Sequence, residues 1–434
     1  MKQSTSPATN PTPKKKSNVK INLLILVISI IIGLLIAEII ARVYVRGNLK
    51  TIYQKKALQK APNGGEFDLK DILVSSNNPR LVYELIPYRH GTFEGIRYRS
   101  NAHGMRGPII SKTKPKGVWR IAALGDSTMF GWGIREKETF PAVLQRALNS
   151  ISDSRTYEVL NFAVPGYNTA MEVELFRSHA VEFSPDLVMI HFDLNDLGLP
   201  NFIRKLPPFF TLKRFYILDL IKSFFIKRDA QKSLEEISER GLHDAHRIDG
   251  PNLNGIKNFI QYQARFVPEE YRYMVGWEGV QRALDRLWDS TSLPILHISW
   301  VYPFTVGYSE YAGNKDLFAQ HVSEGRKKRN DGERLYFINI MSEGHEFCRE
   351  MGLKWIEDLT VNFPDDVHPS AARHILIARA IYLVLVKNRL LPTDSNHYRQ
   401  SEAIAQSLWA QAKRKARKTM GTMRQNVKTG GPKG

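Results

Sequence analysis

From Val118 onward, short runs that are apolar nearly throughout alternate with segments of helical periodicity, and this alternation restricts the fold more than any other feature. The strand-like runs are Trp119–Leu124, Glu158–Ala163, Leu187–Phe192, Ile295–Trp300, Tyr336–Ile340 and, weakly, Lys354–Ile356. Between them lie helical patterns at Thr139–Leu148, Ala170–Glu182, Val280–Ser290, Met341–Met351 and Ala371–Leu390. A strand that is apolar on both faces needs cover on both sides, and strands joined through helices run parallel. The expectation is a three-layer α/β/α sandwich over residues 118–392. An insertion at about 197–276 interrupts it, with an aromatic run from Phe209 to Ile226 that reads as a helical hairpin on the core or as an apolar wall beside the site.

A second constraint lies near the N-terminus. Ile21 to Ala41 is apolar throughout except for Glu38, and at about 1.5 Å per residue it spans a hydrocarbon core of about 30 Å. A cleavable signal has a shorter apolar core followed by small residues. Here Arg42, Val43, Tyr44, Val45 and Arg46 follow, which suits an uncleaved transmembrane anchor over residues 21–45. Residues 1–20 form a polar, basic tail expected to be disordered, and its lysines favour an inside N-terminus. The large domain then lies outside the cytoplasm. Residues 46–117 carry short β-like pieces, including Leu81-Val-Tyr83 and Ile96-Arg-Tyr-Arg99, and read as a small β-rich lead-in.

The net charge of +19 gathers at both ends, and residues 393–434 form a basic tail containing Lys413, Arg414, Lys415, Arg417 and Lys418. Such a tail is either a solvated appendage or a contact for anionic lipid headgroups. Nucleic acid is an unlikely partner, because aromatic residues among these charges are few. The single cysteine, Cys348, excludes an intrachain disulfide.

Chemistry-bearing residues stand where the strands end. Gly125-Asp126-Ser127 follows the first strand and places a hydroxyl at a turn. Pro165-Gly166 follows the second, where a backbone N–H with no side chain in the way suits an oxyanion donor. His191-Phe-Asp193-Leu-Asn195-Asp196 closes the third, and the Asn195 side chain can reach the same oxyanion. His191, Asp193 and Asp196 are candidates to line the substrate pocket. Asp365 and His368, three residues apart before the last long helix, can pair so that the carboxylate fixes the imidazole tautomer. Taken singly, each segment reads as readily as an ordinary turn or cap. No metal-ligand spacing or dinucleotide loop appears, so neither a metal nor a cofactor is expected.

Together, in this order and each after a strand, Gly125-Asp126-Ser127, Gly166, Asn195-Asp196 and Asp365-x-x-His368 resemble the four blocks of the SGNH (GDSL-type) hydrolase family. Asn101-Ala-His-Gly-Met-Arg106-Gly107 is similar to the run-in of its membrane-anchored bacterial members. The resemblance implies a flavodoxin-like fold with a five-stranded parallel sheet. It also implies Ser127 as nucleophile, His368 as base and Asp365 as its partner, with oxyanion donors from the Ser127 and Gly166 N–H groups and Asn195. Asp193 departs from the glycine usual in the third block. Asp366 is a second candidate for the carboxylate, although spacing favours Asp365. The implied function is a membrane-anchored serine esterase acting on acyl esters, acetyl above all, of an envelope carbohydrate or lipid. The alternatives are an O-acyltransferase modifying a polysaccharide and a non-catalytic binding module on the same fold.

Overall fold

The structure is a computed structural model. It describes residues 19–60, 63–204, 215, 217–218, 242–244, 267–299, 316–355, 357–362, 366–393 and 395–428. The chain divides into two compact units, residues 1–52 with 206–238 and residues 53–205 with 239–434.

Helix α1 (Val19–Lys60) contains a stretch, Ile21–Tyr44, long and apolar enough to cross a membrane. Its leucines and isoleucines are exposed, whereas Glu38 is buried. The Glu38 carboxylate accepts hydrogen bonds from Arg42 Nε at 2.8 Å and from the Ile217 N–H at 2.9 Å. The one charge in the apolar run is therefore paired. Apart from Phe215, Ile217 and Leu218, the aromatic run of the insertion lies outside the described residues.

The larger unit is built on five parallel strands, β1 (Val118–Leu124), β2 (Thr156–Asn161), β3 (Leu187–Phe192), β4 (Ile295–Ser299) and β5 (Leu335–Asn339). They lie in the order β5-β4-β3-β1-β2. In register, Ile121 of β1 faces Val159 on one side and Leu187 on the other. These strands match the apolar runs of the sequence to within two residues at each end. The weak run at 354–356 forms no strand at residues 354 and 355, and Ile356 lies outside the described residues.

Among the described residues eight further α-helices follow in chain order: α2 (Ser127–Phe130), α3 (Phe140–Leu148), α4 (Thr169–Ser178), α5 (Gly276–Ser290), α6 (Leu317–Arg329), α7 (Met341–Met351), α8 (Ala371–Lys387) and α9 (His397–Lys428). The crossover through α3 runs outward from β1 to β2, and the next, through α4, runs back past β1 to β3. Right-handed crossovers in opposite directions place α3 and α4 on opposite faces. Accordingly α3 packs with α8, and α4 with α5. The strand order reverses between β1 and β3, so the crevice for chemistry opens beyond their carboxyl ends.

Residues 63–117 contribute five short strands, among them Tyr83–Leu85, His90–Phe93 and Ile96–Arg99. Arg120, fully buried in β1, ties this lead-in to the sheet. Its guanidinium donates to the carbonyls of Ser111, Lys112 and Phe183 and pairs with Glu158 at 2.7 Å. Helix α9 is also integrated. Leu408, Ala412 and Ala416 are buried, the Trp409 indole N–H donates to Glu350 at 2.8 Å, and Lys413 and Lys415 pair with Glu350 and Glu138. The first half of the C-terminal segment is thus not a solvated appendage, because its lysines answer carboxylates of the domain.

Candidate active site

Steric demands shape the turn after β1. A Cβ on Gly125 would lie 2.6 Å from the Met129 Cβ, so the tight turn requires glycine. Asp126 caps the short helix α2 by accepting from the Thr128 N–H at 2.9 Å. At the other end Gly131, with φ of +87°, donates to the Ser127 and Thr128 carbonyls. Arg106 closes this end from the lead-in. It donates to the carbonyls of Phe130 at 2.9 Å, Gly131 at 2.6 Å and Ile134 at 2.6 Å. Burial lowers its pKa to about 10, which leaves it charged at neutral pH. The sequence marked 101–107 as a motif without giving it this bracing task.

Ser127 begins α2, and its hydroxyl stands 2.8 Å from His368 Nε2. His368 comes from a two-stranded ribbon, Thr360–Asn362 paired antiparallel with Asp366–Pro369, leading into α8. Its Nδ1 stands 2.7 Å from Asp366 Oδ1, and its backbone N–H donates to the same oxygen at 2.8 Å. The carboxylate on the imidazole is Asp366, and Asp365 lies outside the described residues. The spacing argument assumed one turn of helix. Residues 366–369 are instead extended, so a two-residue step folds the carboxylate back onto its own backbone and ring. Burial pushes the Asp366 carboxyl up, but its hydrogen bonds with His368 outweigh that and hold it below the ordinary range. An ionised Asp366 accepts the Nδ1–H, so Nε2 presents its lone pair to the Ser127 hydroxyl.

The two other segments of the site meet Ser127 through Asp126 and the sheet edge. Asn195 lies in the 3-10 turn Leu194–Leu197, and its Nδ2 donates to Asp126 Oδ2 at 2.8 Å. That carboxylate oxygen is 3.5 Å from the Ser127 hydroxyl, so Asp126 links the Asn195 amide to Ser127. Gly166 has φ of +75°, and a Cβ there would fall 2.3 Å from the Asn201 Cγ. Asn168 caps α4 with its side-chain oxygen and donates to the Gly198 carbonyl at 3.1 Å, linking the turns after β2 and β3.

Of the three residues expected to line a substrate pocket, two are buried behind the site. His191 is 1% exposed, 3.7 Å from Asp126, and Asp196 is fully buried, accepting from the Thr169 hydroxyl at 2.7 Å. Neither can touch a ligand there. Asp193 is half-buried and accepts from the Leu194 N–H at 2.7 Å, so it shapes the Asn195 turn. Sequence reading passed over Glu172, fully enclosed next to Asp196. Burial first, and then the charge on Asp196, pushes its carboxyl well above the usual range. Trp132, also unforeseen, stacks on His368, and Glu94 at the exposed tip of the 90–99 hairpin lies within Coulombic reach of Asp366 and His368. Among the described residues no group of three or more His, Cys, Asp or Glu could hold a metal ion. The arrangement brings a serine hydroxyl within hydrogen-bond reach of an imidazole nitrogen whose other nitrogen faces a carboxylate.

Residues 123–374, more than half of the chain, match the GDSL-like lipase/acylhydrolase family. The chain belongs to this family. As a GDSL-type acylhydrolase it carries the Ser127 turn, the Asn195 turn and the His368 ribbon all within the matched residues. It is similar to several solved structures. One is an acetyl xylan esterase from Geobacillus stearothermophilus, 14% identical, covering 63% of this chain and 96% of that one, with a TM-score of 0.35. Another is a family 3 carbohydrate esterase from Clostridium thermocellum, 13% identical over 63% of this chain and 98% of that one, TM-score 0.35. A third is an alpha/beta hydrolase from the metagenome of Lake Arreo, 12% identical over 63% and 97%, TM-score 0.33. No curated protein sequence matches the chain significantly.

Proposed function

We infer that the chain is a membrane-anchored serine ester hydrolase acting on acyl esters of an envelope carbohydrate or lipid, through Ser127, His368 and Asp366. The observation that carries this reading is the continuous relay from Asp366 to His368 to Ser127, with steps of 2.7 and 2.8 Å. Ser127 Oγ adds to the ester carbonyl carbon while its proton passes to His368 Nε2. The carbonyl oxygen becomes an oxyanion, held by the Ser127 and Gly166 N–H groups and by Asn195, whose second amide hydrogen is free of the bond to Asp126. Each such donor is worth about 2.7–4 kcal/mol to the transition state. The C–O bond to the alcohol then breaks and the alcohol leaves with the proton from His368. Water, deprotonated by the same ring, adds to the acyl-enzyme and releases the acid.

Anchoring rests on the 24-residue stretch Ile21–Tyr44, mostly exposed and apolar, in which the only charged residues, Glu38 and Arg42, pair with each other. At 1.5 Å per residue it extends about 36 Å, enough to cross a bilayer. The test is direct. Full-length protein in detergent is incubated with an aryl fluorophosphonate and an aryl acetate. Label at Ser127, with turnover abolished by it, supports the reading. Turnover that survives complete labelling, or label on another residue, overturns it.

A further inference from the structure

Tyr83 lies in the lead-in, remote in sequence from every group of the proposed reaction, and is fully buried. Its hydroxyl donates to the Pro165 carbonyl at 3.1 Å. The Asn201 N–H faces the same phenol oxygen and donates to the Gly166 carbonyl at 3.3 Å. The peptide planes on both sides of Gly166 are therefore fixed by hydrogen bonds. In a trans peptide the C=O and N–H lie antiparallel in one plane. The Pro165 carbonyl and the Gly166 N–H share such a plane, so holding the carbonyl toward Tyr83 turns the N–H away from it.

The backbone leading to Tyr83 is strained. Val82 is β-branched yet sits at φ of +56°, and the Tyr83 N–H donates to the Leu81 carbonyl at 2.5 Å across a three-residue turn. Strain of this kind persists where surrounding contacts over-determine it. Those contacts are present. The Tyr167 hydroxyl donates to the Tyr83 carbonyl, and the Tyr167 and Phe202 rings meet the Tyr83 ring edge-on at 5.4 and 5.6 Å.

We propose that Tyr83 is a positioning residue for ester hydrolysis, its hydroxyl orienting the Pro165–Gly166 peptide so that the Gly166 N–H meets the oxyanion. A donor on the carbonyl also polarises that amide and strengthens its N–H. The proposal rests on the reading of Ser127 as nucleophile and Gly166 as oxyanion donor.

Tyr83→Phe in the full-length chain removes the hydroxyl and keeps the ring. Active sites are counted with a fluorophosphonate, and kcat and KM for an aryl acetate are referred to that count. The expected result is a fall in kcat of about tenfold, less than for loss of a whole donor, with KM within about twofold. Affinity for an arylboronic acid, which forms a tetrahedral adduct on the serine, falls by a similar factor. Phe202→Leu disturbs packing on Tyr83 without touching a hydrogen bond. It lowers the melting temperature and leaves kcat per titrated site within about twofold. Unchanged kcat and boronate affinity in Tyr83→Phe overturn the proposal. Equal losses in both variants also overturn it, by assigning the effect to packing. Failure of the parent chain to turn over ester or take the label overturns the underlying reading instead, and is recognised before any variant is made.

Discussion

The indole of Trp132 lies nearly parallel to the imidazole of His368, with ring centroids 5.1 Å apart and planes inclined by 16°. Phe93, from the lead-in hairpin, meets the indole edge-on at 4.8 Å. The hairpin, the indole and the imidazole are thus joined through aromatic contacts. The Trp132 side chain also helps hold the Asp366 carboxyl below the ordinary range, so it bears on the ring and its carboxylate together. A flat wall on the imidazole limits its rotation about χ2 and keeps Nε2 aimed at Ser127, 2.8 Å away.

Replacing Trp132 with leucine removes that wall and leaves the relay residues intact. A looser ring spends less time in line with the hydroxyl, and misplacement near 1 Å costs up to about 100-fold. The expected outcome is a fall in kcat of about tenfold or more, measured per site titrated with a fluorophosphonate. A kcat within twofold of the parent rules out the indole as a support for the base.

The choice of carboxylate is tested by two neighbouring substitutions. Asp366→Asn removes the charge that accepts the His368 Nδ1–H, and the expected loss in kcat is about 10³–10⁴. Asp365→Asn is expected to stay within about threefold. Reversal of these two results returns the role to Asp365. The Asp366 carboxyl lies below the ordinary range, so its contribution to stability is complete above about pH 4 and fades as pH falls through its lowered value. The melting-temperature gap between parent and Asp366→Asn should therefore narrow only in strong acid.

How much of this was legible beforehand follows from how each feature is encoded. β3 was read to the residue because Leu187–Phe192 is apolar on both faces and bounded by turns. Ser127 and His368 were placed because strand ends bring distant turns together, and the family pattern marks which turns. A three-residue spacing fits a helical turn and so favours Asp365 in sequence, while residues 366–369 are extended and bring Asp366 onto the ring. Extended pairing depends on Thr360 and Asn362 across the ribbon, which no local pattern reveals. His191 and Asp196 read in sequence as pocket residues because polar groups at a rim usually face solvent. Their burial follows from α4 closing over them, and Thr169, which bonds Asp196, looks like any cap in the sequence. Arg106, Trp132 and Tyr83 act on residues 24 or more positions away, so their roles emerge only in three dimensions.

Acid sensitivity of the fold should arise at His297. This ring is wholly buried in β4, where Nε2 accepts from the Trp288 indole N–H at 2.8 Å and Nδ1–H donates to the Tyr336 carbonyl at 2.8 Å. Burial lowers its pKa to about 3. The unfolded chain binds a proton at this side chain below about pH 6.5 and the native chain does not, so stability falls as pH drops from 6.5 toward 3. The slope from this site is about 1.4 kcal/mol per pH unit. In denaturant titrations His297→Gln should be less stable at neutral pH and should flatten that slope. An identical slope in parent and variant excludes His297 as its source.

Arg106→Met keeps the bulk of the stem and removes the fork. Three carbonyls at the end of α2 then lose a charged donor in a buried setting, at a cost of about 1–3 kcal/mol each before relaxation. Because those carbonyls close the helix that begins at Ser127, activity should fall with stability. The expected pattern is a lower melting temperature by several degrees and a kcat per titrated site reduced about tenfold. A loss of stability with an unaltered kcat confines Arg106 to bracing the fold.

Gly166→Ala tests the oxyanion turn by two separable routes. The new methyl meets the Asn201 side chain, whose Cγ lies 2.3 Å from the Cβ position, and the φ of +75° penalises any side chain. Combining Gly166→Ala with Asn201→Gly removes the steric conflict and leaves the backbone penalty. Stability should therefore recover in part in the double variant, since an alanine at positive φ still costs about 1–2 kcal/mol. Activity should recover far less. The N–H offered to the oxyanion depends on that backbone geometry, and a lost donor costs about 10²–10³ in kcat. Melting curves and titrated kcat for the two single variants and the double variant form a cycle. A double variant that regains full turnover while remaining destabilised would falsify the assignment of Gly166 as an oxyanion donor, because the chemistry would then be indifferent to the one torsion that aims its N–H.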